Sequence, residues 1–446
     1  METITLIALI TFAVIYVLMM AFQKIRPYVA CGGALIFIAF GIVQLVRPGT
    51  FGTFSFTPLE AIQQIDWNVI MMIAGTMGTV YLFIESKMPQ LMSDVLISRM
   101  PSVKWVVFAL SLFAGIVSAF VDNVATVLMI APVALAFCKK LKISPVPSII
   151  CIAISSNLQG AATLVGDTTS ILLAKAANLD FSDFFVDDGK PGMFWVVEGG
   201  ALVSALIILF MFRKENGKIE FSGKTKVEDK FPTFLLVGTV VALIAVSFIP
   251  YKDNANGGFY KPEITNGLIC MGFFAIGLIR CLIKKDKELI SGAFKEIDYY
   301  TIILLAGLFI VIGGVKNAGV VDFLGGKIAE LGGGNAFLVY TIIVWMSVIL
   351  SAFIDNIPYT ATMLSLVPVI ASGAGVEPKL LYYGLLCGAT LGGNLTPIGA
   401  SANIAGIGIL RKEGYEVKSG TFMKYGVPFT LAAVVTGYVL IWFIQG

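Results

Sequence analysis

The chain has 446 residues, 57% of them apolar and 13% charged, with a mean hydropathy of +0.90. A soluble domain carries about 25% charged residues, so half that value with long apolar runs reads as an all-α polytopic membrane protein and excludes a soluble globular one. The formal charge of +3 says little by itself, no nucleic-acid partner is expected, and the absence of His removes His metal sites, His general bases and His pH switches together.

Apolar spans of helical length run over 3–22, 28–46, 67–86, 103–121, 124–138, 145–160, 168–179 and 193–212. The first has no basic leading region and no small-residue cleavage site, so it reads as a retained helix and not as a signal peptide. A polar stretch, Arg213 to Lys230, follows. The second half gives 232–250, 263–283, 299–316, 336–354, 357–371, 380–392, 400–410 and 425–443, eight segments against eight. The six Cys lie mostly in apolar segments without a C-x-x-C pair and read as small hydrophobes.

The two halves are copies. Ser118-Ala119-Phe120-Val121-Asp122-Asn123 returns 233 positions later as Ser351-Ala352-Phe353-Ile354-Asp355-Asn356. In the same register Thr163 falls on Thr396, Gly166 on Gly399 and Thr168 on Ser401. Asp66 matches Asp298 and Gly75 matches Gly307 at a spacing of 232. An internal duplication is the economical explanation. The organisation expected is a first repeat over 1–212, a cytoplasmic linker over 213–231 and a second repeat over 232–446.

A crossing of the roughly 30 Å hydrocarbon core needs about 20 helical residues. Segments 124–138 and 357–371 are shorter and contain Pro132 and Pro368, so 103–138 and 336–371 read as re-entrant hairpins with the Asp-Asn pairs at their tips. Segments 145–179 and 380–410 read as single crossings, each broken at a Gly-rich stretch: Gly160 to Thr169, and Gly392 to Asn403. Broken backbone at membrane depth is tolerated where it is buried in protein or lines a cavity.

Each repeat then has five crossings and one hairpin, and an odd number inserts the second copy upside down. With both termini outside, 23 of the 31 basic residues face inward and seven, Lys252 among them, face outward, as the positive-inside rule requires. Two inverted repeats whose hairpin tips and helix breaks meet near the midplane make the architecture of a secondary transporter.

An Asp at the bilayer centre costs about 2.5–3.5 kcal/mol on insertion scales and marks a functional site by default. Asp122, Asp355 and Asp167 bring three negative charges to one cavity, and the only base that reads as near them is Lys175. Such a cavity suits sodium, protons or a neutral hydroxide better than a free anion. Bland readings stand beside this one. Asn123 and Asn356 can be N-caps of the second hairpin arms, Asp122 and Asp355 can be structural, and Asp66 and Asp298 read as surface helix caps. Glu85, Glu198 and Lys87 read as snorkelling side chains near span ends. Ser222-Gly223-Lys224-Thr225 is similar to the end of a phosphate-binding loop, but Lys218 stands where that loop needs Gly. Two intramembrane Asp also suit an aspartyl protease, but Leu-Val-Gly precedes Asp167 where that class has Gly-x-Gly.

The tips Asp122-Asn123-Val-Ala-Thr126 and Asp355-Asn356-Ile-Pro-Tyr-Thr360 carry a family likeness, together with the breaks holding Thr163, Gly166 and Asp167, and Asn394, Thr396, Gly399, Ser401 and Asn403. They resemble the ion transporter superfamily, in the branch of the arsenite pump membrane subunit, the NhaD-type sodium/proton antiporters and the melanocyte P protein, over residues 60–440. The resemblance implies a scaffold part and a moving part, elevator-type alternating access and a homodimer. In related sodium-coupled dicarboxylate carriers the tips read Ser-Asn-Thr and touch sodium and substrate carboxylates. By position, Asp122, Asn123, Val124 and Asp355, Asn356, Ile357 line the site here, with Asp and apolar residues where those carriers have hydroxyls.

The reading expected is a secondary active transporter of the plasma membrane that couples a small anion or metalloid oxyacid to Na+ or H+. Sodium, where it is the coupling ion, sits at Asp122, Asn123, Asp355 and Asn356. Thr126, Thr163, Thr168, Thr360, Asn394, Thr396, Ser401 and Asn403 supply further ligands, and no other cofactor is expected. Sodium/proton antiport without a solute and a passive channel of the same fold are the rivals. Arsenite, silicic acid, a carboxylate, sulfate or sodium alone stay open as the solute.

Overall fold

The computed structural model describes residues 3–217, 225–227, 229–250 and 260–446. Lys218, Ser222, Gly223 and Lys224 of the linker, and Lys252, lie outside the described residues.

The first repeat runs through α1 (Thr3–Ala21), α2 (Arg26–Val46), α3 (Pro58–Gln63), α4 (Trp67–Glu85), α5 (Met88–Ser98), α6 (Val103–Ser118), α7 (Asn123–Lys140), α8 (Val146–Gly160), α9 (Thr168–Ala177) and α10 (Met193–Met211). A two-residue β-pair, β1 (Val186–Asp187) with β2 (Lys190–Pro191), closes the loop before α10. The second repeat runs through α11 (Phe231–Ser247), α12 (Thr265–Ile283), α13 (Lys287–Lys295), α14 (Tyr299–Asn317), α15 (Val320–Leu331), α16 (Ala336–Ser351), α17 (Asn356–Ala374), α18 (Pro378–Gly392), α19 (Ser401–Lys412) and α20 (Ser419–Gln445). Among the described residues nine helices are long and apolar enough to cross a membrane.

Local chemistry sets the starts. Asp66 and Asp298 cap α4 and α14, accepting from Val69 N at 3.0 Å and Thr301 N at 3.0 Å. Thr57 and Glu60 close a reciprocal capping box on α3. Prolines open α2, α5, α8, α11 and α18 in their first turns, where a missing N–H leaves no bond unmade.

The pairing of helices repeats across the duplication. α4 packs on α12 as α14 packs on α2, and α6 packs on α8 as α16 packs on α18, while α10 pairs with its own counterpart α20. The short helices match too: α3 and α13 precede the third crossing of each copy, and α5 and α15 follow it. Two packing groups result. The crossings α1, α2, α4, α11, α12 and α14 form one; the hairpins α6–α7 and α16–α17, the broken pairs α8–α9 and α18–α19, and α10 with α20 form the other.

The structure departs from the segments read from the sequence in the hairpin arms, and adds short helices between the crossings. Arms α7 and α17 have 18 and 19 residues, longer than the segments 124–138 and 357–371 expected. Pro132 and Pro368 sit inside them, because packed neighbours support a helix that has lost one internal bond. Helices α3, α5, α13 and α15 lie between the crossings, outside the apolar spans read from the sequence. α15 turns by 117° into α16 and packs along α17 instead of extending the arm.

Candidate functional site

Each tip is made by an aspartate turning the chain from one arm into the next. Asp122 is the N-cap of α7, its Oδ2 accepting from Val124 N at 2.9 Å and Ala125 N at 3.1 Å. Asp355 caps α17 through Oδ1 and Ile357 N at 3.2 Å. The caps are therefore the aspartates and not Asn123 and Asn356, which are the first helical residues and aim their amides inward.

That inward amide pair meets at Asn157, on α8 and fully buried. Asn123 Nδ2 donates to Asn157 Oδ1 at 3.1 Å, and Asn356 Nδ2 reaches the same oxygen at 3.5 Å. Asn157 Nδ2 in turn donates to Thr390 O at 2.8 Å and Asn394 Oδ1 at 3.0 Å. One side chain thus ties both tips to the second repeat's broken helix, in a network whose donors and acceptors are matched. Its position after Ser155 and Ser156, in an apolar run, is the one signal the sequence offers for it.

The breaks are anchored twice over by the same bond. Thr163 Oγ1 donates to Ala119 O, and Thr396 Oγ1 donates to Ala352 O at 2.5 Å, so each break loop hangs on the end of its own hairpin's first arm. A Cβ at Gly166 would fall 2.5–2.7 Å from the carbonyl oxygens of Gly160, Ser118 and Ala119, and one at Gly399 meets Gly393 and Ala352 in the same way. Only glycine allows that approach.

Tips and breaks enclose a cavity of about 260 Å³. Of the residues singled out from the sequence, Asp122, Asn123, Asp167, Thr168, Asp355, Asn356 and Ser401 line it. Val124 and Ile357 line it as well. The other eight do not. Thr126 turns back towards Val121 O at 3.5 Å, and the Thr360 hydroxyl is buried away from the cavity. Asn394 spans Asn157 and Ile154 O at 3.0 Å, and Asn403 donates to Gly393 O and Thr396 O. Thr163, Thr396, Gly166 and Gly399 hold the breaks. Short polar side chains beside broken backbone bond that backbone first, which is why spacing alone assigns them to the solute.

The cavity is acidic beyond the three aspartates expected. Glu296 and Asp298, with Thr301 at the start of α14, close its other wall, so Asp298 caps a helix and faces the cavity at once. Among the described residues no Lys or Arg lines it. The base expected near the site, Lys175, is elsewhere: it bonds Glu263 at 2.8 Å and lies 3.4 Å from Asp66, and its hydrogen bond holds the Glu263 carboxyl below its ordinary value. The cation that does reach the site is Arg26, whose Nη1 donates to Asp355 Oδ2 at 2.7 Å. From the sequence Arg26 reads only as an inward loop charge.

Residues 14–388 match the family described as Citrate transporter. The chain belongs to the citrate transporter family. The family falls in the superfamily of the arsenite pump membrane subunit and the NhaD-type antiporters. An uncharacterized transporter of Mycobacterium tuberculosis is 31% identical over 387 residues, which cover 85% of this chain and 86% of that protein. The P protein of Homo sapiens is 26% identical over 452 residues, covering 85% of this chain and 53% of its own length. Among solved structures, the YdaH transporter of Alcanivorax borkumensis has a TM-score of 0.61 at 14% identity, covering 93% of this chain and 97% of YdaH. MtrF of Neisseria gonorrhoeae, of a class of antimetabolite efflux pumps, has a TM-score of 0.58 at 14% identity, covering 94% of this chain and 96% of MtrF. These two share the fold, an integral membrane architecture of two inverted repeats, each with a hairpin and a broken helix. The citrate transporter family member described here is a membrane transporter.

Proposed function

We propose that the protein is a secondary active transporter that couples a small anion or metalloid oxyacid to Na+ or H+. The hairpins and broken helices move as a body past the crossings α1, α2, α4, α11, α12 and α14. The observation that carries this reading is the cavity wall: Asp122, Asp167, Asp355, Glu296 and Asp298 line it, and one of the five is paired with a guanidinium. An anion enters such a field only after cations or protons have bound, and that order of binding is what coupling requires. At about 260 Å³ the cavity holds several waters of roughly 30 Å³ each, more than a bare ion fills. This favours a solute over sodium/proton exchange alone.

On the same reading the chain divides into repeats 1–212 and 232–446, joined by a cytoplasmic linker over 213–231. Both termini lie outside, the bilayer is the plasma membrane, and two copies pair through their scaffold crossings. The expected distribution of basic residues supports the orientation.

Flux into proteoliposomes under an imposed sodium or pH gradient tests the proposal. Uphill accumulation of a solute is expected, and Asp122→Asn or Asp355→Asn should remove most of it. Flux that only runs downhill makes the protein a channel. Normal accumulation with unchanged ion dependence in both variants overturns the coupling role of the tips. The solute is found by thermal stabilisation across arsenite, silicic acid, carboxylates and sulfate, since a ligand at 100 times its Kd adds about 2.7 kcal/mol.

A further inference from the structure

Arg26 is a buried cation in a place the transport reading alone does not explain. It is the first residue of α2, in the scaffold group of crossings, and is 6% exposed. Its Nε donates to Met19 O at 3.0 Å, one of the carbonyls that the last turn of α1 leaves without a helical partner. A cation is favoured there by the negative end of the α1 dipole. With the guanidinium fixed from behind, Nη1 is presented to Asp355 Oδ2 across the boundary between the two packing groups. Asp355 Oδ1 is occupied by the cap on Ile357 N, so Oδ2 is the oxygen left for a cation, and Arg26 holds it.

We propose that Arg26 is the resident counter-ion of Asp355, and that the coupling cation must displace it. The inference rests on the cation-coupled reading above. With Arg26 on Oδ2, the second tip is tied to the scaffold and the empty carrier stays where it is. A cation arriving in the cavity takes the same oxygen, the charge at the carboxylate is balanced as before, and the tip is freed from α2. One positive charge replaces another at the carboxylate, and the guanidinium released from it keeps Met19 O at the negative end of α1. Arg26 is a positioning residue, acting on the cation through Asp355. Among the described residues, the titratable groups around this carboxylate include Asp122, Asp167, Glu296, Asp298 and Tyr81, which line the same cavity, and Tyr300, two residues past Asp298.

The test uses the purified full-length protein in detergent, with its melting temperature followed as sodium chloride replaces choline chloride at constant ionic strength. A parallel series varies pH without sodium. A competitor that occupies the carboxylate about 90% of the time weakens the apparent affinity about tenfold, so Arg26→Gln should lower the sodium midpoint by roughly that factor. If the proton is the coupling ion, the shift appears in the pH series instead. Arg26→Lys should fall between the two, because an ammonium makes a looser one-point contact. Asp355→Asn should abolish the response whichever residue stands at 26.

An unchanged midpoint in Arg26→Gln, beside a clear response in the natural sequence, overturns the displacement and leaves cation coupling standing. No response to sodium or pH in any of the proteins overturns both. Should Arg26→Gln not fold, Arg26→Lys decides the question, and an unchanged midpoint there sinks the idea equally.

Discussion

The two hairpin tips have nearly the same sequence and different surroundings. Among the described residues Asp122 hydrogen-bonds only the backbone of its own helix, through Val124 N and Ala125 N. Asp355 makes the same kind of cap and is also gripped by Arg26. The second hairpin has another tie of this sort: Tyr16 on α1 donates to Pro358 O at 2.6 Å and bonds the Thr362 hydroxyl. An inverted duplication supplies two equivalent positions, and a single conformation uses them unequally. The first residue of α12, which stands where Arg26 stands in α2, is Thr265. The cation is therefore a feature of one repeat, and the tip it holds is the one that a scaffold-dependent step would release.

The largest difference expected between the tips is in stability. Asp355→Ala leaves Arg26 buried with only Met19 O, and removing one partner of a buried pair costs about 3–5 kcal/mol. Asp122→Ala removes an N-cap, worth about 1 kcal/mol. Thermal unfolding in detergent should therefore fall much further for Asp355→Ala than for Asp122→Ala. Equal losses would mean that the guanidinium is solvated in the working protein and that the two tips are alike.

Between the tips sits the residue that makes them one site. Asn157→Ala strips the shared acceptor from Asn123 and Asn356 and the donor from Asn394, all of them buried. A buried polar group left without its partner costs about 1–3 kcal/mol, so the loss should lie between those of the two aspartates. Asn157→Asp keeps an acceptor for both tips and loses the donor to Asn394 and Thr390 O. Loss of transport in Asn157→Ala with unchanged melting would sharpen the picture by placing Asn157 in solute binding; unchanged transport and melting would remove it from the network.

The duplication, the tips and the breaks are legible in the sequence because each puts Asp, Asn or Gly into an apolar background where such residues are costly. Asp122 and Asp355 stand out without a structure for that reason. Arg26 does not, since a basic residue at the inner end of a span is what the positive-inside rule expects anywhere. Its partner lies 329 residues away, and only the fold, which brings the start of α2 to the tip of the second hairpin, unites them. Asn157 is hidden by its counterpart in the register, Thr390, which shares no chemistry with it, so the duplication does not flag it. The misplacement of Thr163 and Thr396 has a different cause. Spacing shows that a hydroxyl lies near the break, but not that the nearest unpaired carbonyl already claims it.

The smallest expected effect concerns those two threonines and cuts the other way. Thr163 and Thr396 make the same bond to Ala119 O and Ala352 O, 233 positions apart in both donor and acceptor. Each is an ordinary hydrogen bond worth about 1 kcal/mol net. Thr163→Val and Thr396→Val should therefore lower the melting temperature by similar small amounts, in contrast to the unequal aspartates. Neither should change the cation dependence of transport, because neither hydroxyl faces the cavity. If Thr396→Val alone shifted that dependence, the second break would belong to the ion site, and the inequality of the repeats would extend from the tips into the broken helices. Equal, small and cation-independent losses would confine it to the hairpin that Arg26 holds.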